Sequence, residues 1–125
     1  MQPTASSAQR RVLIVDDHLA SADLLLEILS MEGYVARVAH CGRDAVAIAR
    51  DFKPQIAVLD VGLPDLDGFA LARLLKADPQ LREIRLVGLS GYAQSPTVDP
   101  STSGFDHYLV KPVDVEELLS VLQRV

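Results

Sequence analysis

The chain has 125 residues, of which 49% are hydrophobic, and a formal net charge of −5 at pH 7. A chain of this length fits one domain that buries about two thirds of its unfolded surface without disulfides or a structural metal. The negative charge argues against direct binding to nucleic acid. No apolar run approaches the roughly 20 residues that span a bilayer. The single cysteine, Cys41, excludes an internal disulfide. We therefore expect a cytoplasmic protein that contacts neither membrane nor nucleic acid.

Short β-rich apolar runs alternate with helical patterns along most of the chain. The small, polar residues 1–10 are predicted to form a flexible lead-in or linker, because they carry too little apolar surface to offset the entropy of ordering them. One folded domain is expected over 11–125. The alternation indicates a parallel sheet with helices on both faces. The predicted strands are Val12–Val15, Val35–Ala39, Ile56–Leu59, Leu86–Leu89 and Tyr108–Val110.

Four segments between or after these strands have the apolar spacing of a helix. The matching sets are Leu25, Ile28 and Leu29; Ala45, Ile48, Ala49 and Phe52; Gly68, Leu71, Ala72 and Leu75; and Val115, Leu118, Leu119 and Leu122. Gly33 is predicted to end the first helix and Pro54 to close the second, while the third runs from Asp67 to about residue 77. Asp114, followed three residues later by Glu117, is typical of a cap that opens the last helix.

The fourth connection differs from the others. Pro96, Pro100 and Gly104 interrupt the segment 93–104, which shows no apolar helical stripe. Each proline removes a hydrogen-bond donor and costs an interior helix about 3 kcal/mol. We therefore predict that the fourth helix is short or distorted.

Polar side chains stand at the carboxyl ends of four predicted strands. They are Asp16 with Asp17, then Asp60, then Ser90, then Lys111. In an open α/β sheet, ligands bind outside this edge, where residues that are distant in sequence converge. Any one of these aspartates could be an ordinary helix cap or turn residue, but all four strand ends together indicate one site.

Three converging carboxylates repel one another, so a divalent cation is their natural partner. Oxygen ligands favour a hard ion, and Mg²⁺ typically takes one or two carboxylates together with phosphate oxygens and water. Mg²⁺ is therefore the predicted cofactor. No zinc-binding spacing is present, and the three scattered histidines are expected to be surface or loop residues: His18, His40 and His107.

With a cation in place, Asp60 can act as a carboxylate nucleophile toward phosphorus and form an acyl phosphate. The Lys111 ammonium would then contact one phosphoryl oxygen and the Ser90 hydroxyl another, so that catalysis depends on positioning and charge. Lys111 could instead be a solvated charge at a strand end, although the following Pro112 favours a defined turn.

The runs VLIVDDH, AVLDVGLPDLDGF, LVGLSGY and GFDHYLVKPVD, in this order and spacing, resemble the response-regulator receiver domains of two-component signalling systems, including receivers fused behind sensor kinases. The resemblance covers 11–125. It implies a flavodoxin-like, doubly wound (βα)₅ α/β fold with strand order 2-1-3-4-5. It also implies Asp16 and Asp17 as the metal-binding pair and Asp60 as the phosphoacceptor, which is itself a metal ligand.

The resemblance implies further roles around this core. Ser90 is implied to be the switch residue, whose hydroxyl moves toward the phosphoryl group, and Lys111 the lysine that contacts the phosphate. Together with Asp60, these two residues are implied to be catalytic. Tyr108 occupies the position of the family's switch aromatic residue, whose ring turns inward as Ser90 moves. Alternatively, Tyr108 is an ordinary half-buried tyrosine of a strand. The backbone carbonyl of Gly62 becomes a metal ligand, and the Lys111–Pro112 peptide bond is expected to be cis.

The expected donor is a histidine kinase or a phosphotransfer protein, and the expected output is a downstream protein or fused domain, with a homodimer left open. The domain would catalyse its own phosphorylation and dephosphorylation, so it is primarily a signalling switch. Alternatives are a Mg²⁺-dependent aspartyl-phosphate phosphohydrolase and a pseudo-receiver that binds proteins without phosphorylation. A phosphohydrolase of this kind needs a substrate pocket and usually a cap insertion, and the sequence contains no insertion of that size. A pseudo-receiver does not explain why the acidic pair, acceptor, hydroxyl and lysine are all present. Flavin binding is disfavoured because VDDH follows the first strand in place of a phosphate-cradling loop.

Overall fold

The computed structural model describes residues 10–61, 68–90, 105–111 and 113–124. These contain one five-stranded parallel sheet in the order β2-β1-β3-β4-β5, as predicted. The strands are β1 (Arg11–Val15), β2 (Val35–Ala39), β3 (Ile56–Asp60), β4 (Arg85–Ser90) and β5 (His107–Val110). Every predicted strand is present, and four of the five gain one or two residues at their ends.

Four α-helices lie within the described residues. They are α1 (Leu19–Met31), α2 (Gly42–Phe52), α3 (Gly68–Ala77) and α4 (Val115–Arg124). A 3₁₀ turn at Pro79–Leu81, which the sequence did not predict, follows α3 and begins where the Asp78 side chain accepts a hydrogen bond from the backbone of Gln80. No helix in the described ranges is long and apolar enough to cross a membrane.

Two hydrophobic clusters fill opposite faces of the sheet. Successive residues of β1 point to opposite faces, as the two-residue period of a strand requires. Leu13 and Val15 belong to the cluster under α2 and α3, whereas Val12 and Ile14 belong to the cluster under α1 and α4. The central strand β3 is buried along its whole length. These layers confirm the doubly wound fold, because helices cover both faces.

The helix ends match their sequence signals. Gly33, just past α1, has a φ of 94°, a conformation that glycine adopts without steric cost. Lys53 has a φ of 53° at the end of α2, directly before the predicted stop at Pro54. At the start of α4, Asp114 Oδ1 accepts hydrogen bonds from the backbone N–H groups of Glu116 at 2.9 Å and Glu117 at 3.3 Å. The predicted cap is therefore present.

Several expectations concern residues outside the described ranges. These are the lead-in over residues 1–9, the first residue of the third predicted helix, the Gly62 carbonyl, the short or distorted fourth helix and the Lys111–Pro112 peptide bond. They remain predictions.

Candidate phosphoacceptor and metal site

The sheet register brings the predicted site residues to one edge. Val15 of β1 pairs with Leu59 of β3, and Asp60 pairs with Leu89 of β4, so the carboxyl ends of these strands lie level. Hydrogen bonding between β4 and β5 continues at the carboxyl end of β5, where the Lys111 N–H donates to the Ser90 carbonyl at 2.7 Å. The backbone that carries the site is thus held by the sheet itself.

Asp60 and Lys111 form a close ion pair. The Lys111 Nζ donates to Asp60 Oδ2 at 2.7 Å, the short distance typical of a charge-assisted hydrogen bond. Asp60 is only 5% exposed, whereas the Lys111 side chain keeps 29% of its surface exposed. A buried carboxylate is costly without a partner, and the ammonium provides one while it remains accessible to an incoming anion.

The acidic pair lies beside Asp60. Asp16 is 2% exposed, and its backbone N–H donates to the Ala39 carbonyl at 3.1 Å, which extends the pairing of β1 with β2. Asp17 is more open, with 33% of its side chain exposed, yet its Oδ1 atom is buried and accepts no hydrogen bond from the described residues. A buried acceptor in this position is suited to a cation.

The arrangement of these oxygens fits a divalent metal. One ligand atom from each of Asp16, Asp17 and Asp60, together with a ring nitrogen of His18, all lie within 4.8 Å of one another. Two ligands bound to one ion at about 2.1 Å can be no more than about 4.2 Å apart. Only a small contraction would therefore bring this set around a metal, and the three carboxylates are the donors that a hard cation prefers.

His18 also lies beside the acidic pair, a position that its surface-like sequence context did not predict. Its side chain is 70% exposed, as expected of a surface histidine, but Nδ1 lies 3.3 Å from Asp16 Oδ1 and 3.5 Å from Asp17 Oδ1. The available signal was its position directly after the acidic pair, at the N-terminal cap of α1. His40 also approaches, with Nδ1 at 3.3 Å from the Asp16 carbonyl, whereas His107 begins β5 away from this edge.

Ser90 and Tyr108 lie on neighbouring strands. Ser90 ends β4 and is 9% exposed, so its hydroxyl is placed at the same edge as Asp60. Tyr108 on β5 is partly buried against the cluster under α2 and α3. Its ring centroid lies 5.0 Å from that of Phe105 and 6.5 Å from that of Phe69. A small aromatic group therefore adjoins the strand that leads to Lys111.

Gly88 makes room for that aromatic group. A Cβ atom at Gly88 would lie 2.9 Å from two ring atoms of Tyr108 and 3.2 Å from the Phe105 ring. Gly88 and Tyr108 are also paired in the register of β4 and β5. The absence of a side chain at position 88 thus leaves the space beside the strand that the Tyr108 ring occupies.

An open groove of about 520 Å³ reaches the acidic edge from the side of α1 and α4. Asp16, His18 and Lys111 line its polar end, and Leu24, Leu25 and Val113 are among the residues that line the rest. Leu24 is 58% exposed. The site is therefore continuous with an apolar surface on one face of the domain.

The domain is doubly wound and carries a buried aspartate, an acidic pair and a lysine at the carboxyl edge of its sheet. This combination is typical of the phosphoacceptor domains of signalling proteins. Comparison with known proteins agrees: the chain belongs to the response regulator receiver domain family, whose model matches residues 12–123. The fold, the family and the phosphoacceptor receiver role expected from the sequence are thereby confirmed. Members of this family interact with histidine kinases and downstream effectors.

The chain is similar to proteins of different organisation. It is 34% identical over 118 residues to an uncharacterized 14.6 kDa protein of Leptolyngbya boryana, covering 94% of this chain and 90% of that protein. It is 37% identical over 111 residues to the DNA-binding dual master transcriptional regulator RpaA of Synechocystis, covering 88% of this chain but 46% of that regulator. The chain thus spans less than half of the larger relative.

Solved structures show the same fold. The chemotaxis protein CheY4 of Vibrio cholerae is similar with a TM-score of 0.87 and 29% identity, covering 94% of this chain and 98% of that one. A CheY-like receiver domain from Methylobacillus flagellatus gives a TM-score of 0.84 and 32% identity, covering 93% of this chain and 98% of that one.

Proposed function

We propose that Asp60 accepts a phosphoryl group from a histidine kinase or a phosphotransfer protein, with Mg²⁺ held by Asp16, Asp17 and Asp60. The observation that carries the proposal is the contact between the nearly buried Asp60 carboxylate and the Lys111 amine beside the acidic pair. By the family pattern, the Gly62 carbonyl is a further metal ligand. Residues 11–125 form the receiver domain, and the preceding residues serve as a lead-in or linker.

In this proposal, an Asp60 carboxylate oxygen forms a bond to phosphorus as the bond from phosphorus to the donor nitrogen breaks. Lys111 then contacts a phosphoryl oxygen in place of the free carboxylate, and the Ser90 hydroxyl donates to another. The bound cation supplies positive charge that offsets the carboxylates and the transferred group. Hydrolysis of the acyl phosphate later releases inorganic phosphate and restores the Asp60 carboxylate.

The groove beside the site is proposed to receive the donor protein. It is lined by Asp16 and Lys111 at one end, so a donor that lies along it would bring its phosphoryl group to Asp60. The exposed Leu24 provides apolar surface for such a contact. We propose that Ser90 and Tyr108 form the output switch, read by a downstream protein, a fused domain or a second copy of the chain.

Mass spectrometry after incubation with acetyl phosphate and Mg²⁺ tests the acceptor. Wild type should gain one phosphoryl group, and Asp60→Asn should gain none, because an amide is a far weaker nucleophile than a carboxylate. Asp51→Asn, near the end of α2 and at the opposite edge of the sheet, removes the same charge from a side chain that is 82% exposed and should behave as wild type. Equal labelling of wild type and Asp60→Asn would exclude Asp60 as the acceptor. Sustained turnover of small phosphate esters by wild type would favour the phosphohydrolase alternative.

A further inference from the structure

His18 lies inside the set of carboxylates that forms the proposed metal site. Its backbone N–H donates to Asp16 Oδ1 at 2.9 Å, and its ring Nδ1 lies 3.3 Å from the same oxygen. As the residue that caps α1, it is fixed by the backbone of the turn between β1 and the helix. The imidazole therefore lies beside the acidic pair, although 70% of the side chain is exposed to solvent.

We infer that His18 is a nitrogen ligand that raises the affinity of this site for borderline transition-metal dications relative to its affinity for Mg²⁺. The inference rests on the proposed metal site and concerns which ion that site selects. Neighbouring ligands of an octahedral ion, each bound at about 2.1 Å, are about 3 Å apart. The Nδ1 distances of 3.3 and 3.5 Å to the Asp16 and Asp17 oxygens are close to this spacing.

The selectivity follows from the ligand chemistry. Carboxylate and water oxygens suit Mg²⁺ and Mn²⁺, whereas imidazole suits ions such as Co²⁺, Ni²⁺ and Zn²⁺. Replacing one oxygen ligand by His18 nitrogen adds little for Mg²⁺, which prefers to keep water in that position. For Co²⁺ or Zn²⁺ the same nitrogen is a strong donor, so His18 raises their affinity selectively.

A positioning role for His18 makes a different prediction. If its ring only orients Asp16, then removing the ring perturbs a carboxylate that every cation uses, and Mg²⁺ and Co²⁺ binding weaken together. A ligand role instead changes the ratio of the two affinities. The ratio therefore separates the two roles, whatever the absolute affinity of the site.

The test is calorimetric titration of the unphosphorylated chain with MgCl₂ and, separately, with CoCl₂. Wild type is compared with His18→Ala and with His107→Ala, which removes an imidazole from the far end of β5. His18→Ala should weaken Co²⁺ binding by at least about tenfold, since losing a ligand costs no less than losing a group that only orients one, and Mg²⁺ binding by no more than about twofold. The visible absorption of bound Co²⁺ should also change in His18→Ala, because a nitrogen ligand has been lost, and should not change in His107→Ala.

Equal weakening of both ions in His18→Ala, or no change in either, would overturn the ligand assignment and leave the proposed metal site intact. An unaltered Co²⁺ spectrum in His18→Ala would overturn it as well. If wild type binds neither ion, the metal site itself is wrong, and the inference fails with it. Labelling of Asp60 by acetyl phosphate in Mg²⁺ should persist in His107→Ala, and labelling of wild type does not depend on whether His18 is a ligand, so that the two proposals fail separately.

Discussion

The Lys111 amine lies 2.7 Å from the Asp60 carboxylate. Both residues lie at the carboxyl edge of the sheet, but they follow or end strands that are not neighbours. β4 separates β3 from β5, so the ion pair spans a strand and brings Lys111 over the position where the phosphoryl group is proposed to be. The pair thus combines a contact between two charged groups in the resting protein with the lysine that is proposed to contact the phosphoryl group.

Removing the amine should affect both stability and chemistry. Lys111→Met leaves the nearly buried Asp60 carboxylate without its ammonium partner and should lower the free energy of unfolding by about 1–3 kcal/mol. Phosphorylation by acetyl phosphate should slow by at least about tenfold, since a contact to the transferred group is lost. Urea denaturation and timed mass spectrometry measure the two effects.

A double-mutant cycle with Asp60→Asn provides the control for stability. If the two groups interact as the 2.7 Å distance indicates, the double variant should be more stable than the sum of the single effects predicts. Additivity within about 0.5 kcal/mol would show that the ion pair contributes nothing to the folded state.

Repulsion among the carboxylates makes a second prediction. In EDTA, Asp17→Asn should raise the free energy of unfolding by about 1 kcal/mol, because two like charges about 4 Å apart repel by about that amount even in water. Excess Mg²⁺ should raise the thermal midpoint of wild type but not of Asp17→Asn, since ligand binding stabilises only a protein that binds. Differential scanning calorimetry with EDTA and with Mg²⁺ makes both comparisons.

Glu27→Gln is the matched control, because Glu27 is an exposed acid on α1 outside the cluster. It should leave the stability in EDTA and the Mg²⁺-dependent rise unchanged. The explanation by repulsion is wrong if Asp17→Asn loses stability in EDTA and keeps the full response to Mg²⁺.

The close approach of Gly88 to Tyr108 predicts a steric effect. Gly88→Ala places a Cβ 2.9 Å from the ring and should destabilise the domain by about 1–3 kcal/mol, the usual cost of overpacking. Tyr108→Ala removes the obstructing ring, so the cost of the alanine should be smaller in the double variant. Chemical denaturation of the four proteins gives the coupling energy; independent effects would show that the ring moves aside freely.

The groove beside the site predicts a difference between two kinds of donor. Leu24→Asp should slow transfer from a phosphorylated histidine kinase by about tenfold, because a charge replaces an apolar contact worth about 1.4 kcal/mol. Labelling by acetyl phosphate should change by less than about twofold, since a small donor does not need this surface.

Leu74→Asp serves as its control, because Leu74 is similarly exposed, at 52%, but belongs to α3 on the other face of the sheet. Autoradiography of the transfer reaction compares the three proteins. Equal slowing by both variants, or by neither, would remove this groove as the donor surface.

Much of this fold could be predicted because its periodicities are local. The apolar run Ile56–Leu59 of β3 and the Asp60 that ends it stand out in the sequence, and the spacing in the segments of α2 and α4 is that of a helix with one apolar face. The convergence of strand ends then follows from the parallel topology, which holds for Asp16, Asp60 and Lys111.

Other features depend on distances that the sequence does not encode locally. The His18 ring lies close to the acidic pair because of the conformation of the turn that precedes α1. The contact between Gly88 and Tyr108 depends on the register of β4 against β5, which a shift of one residue would abolish. Such features need the assembled sheet.

The proposed donor groove and the proposed output switch lie on different faces of the sheet. The groove beside Leu24 and Leu25 lies on the side of α1 and α4, while Tyr108 packs on the side of α2 and α3. A donor bound in the groove and an effector bound at Tyr108 would contact different faces of the domain, so neither would cover the residues that the other uses. The signal could then pass through the domain without an intervening cycle of release and rebinding.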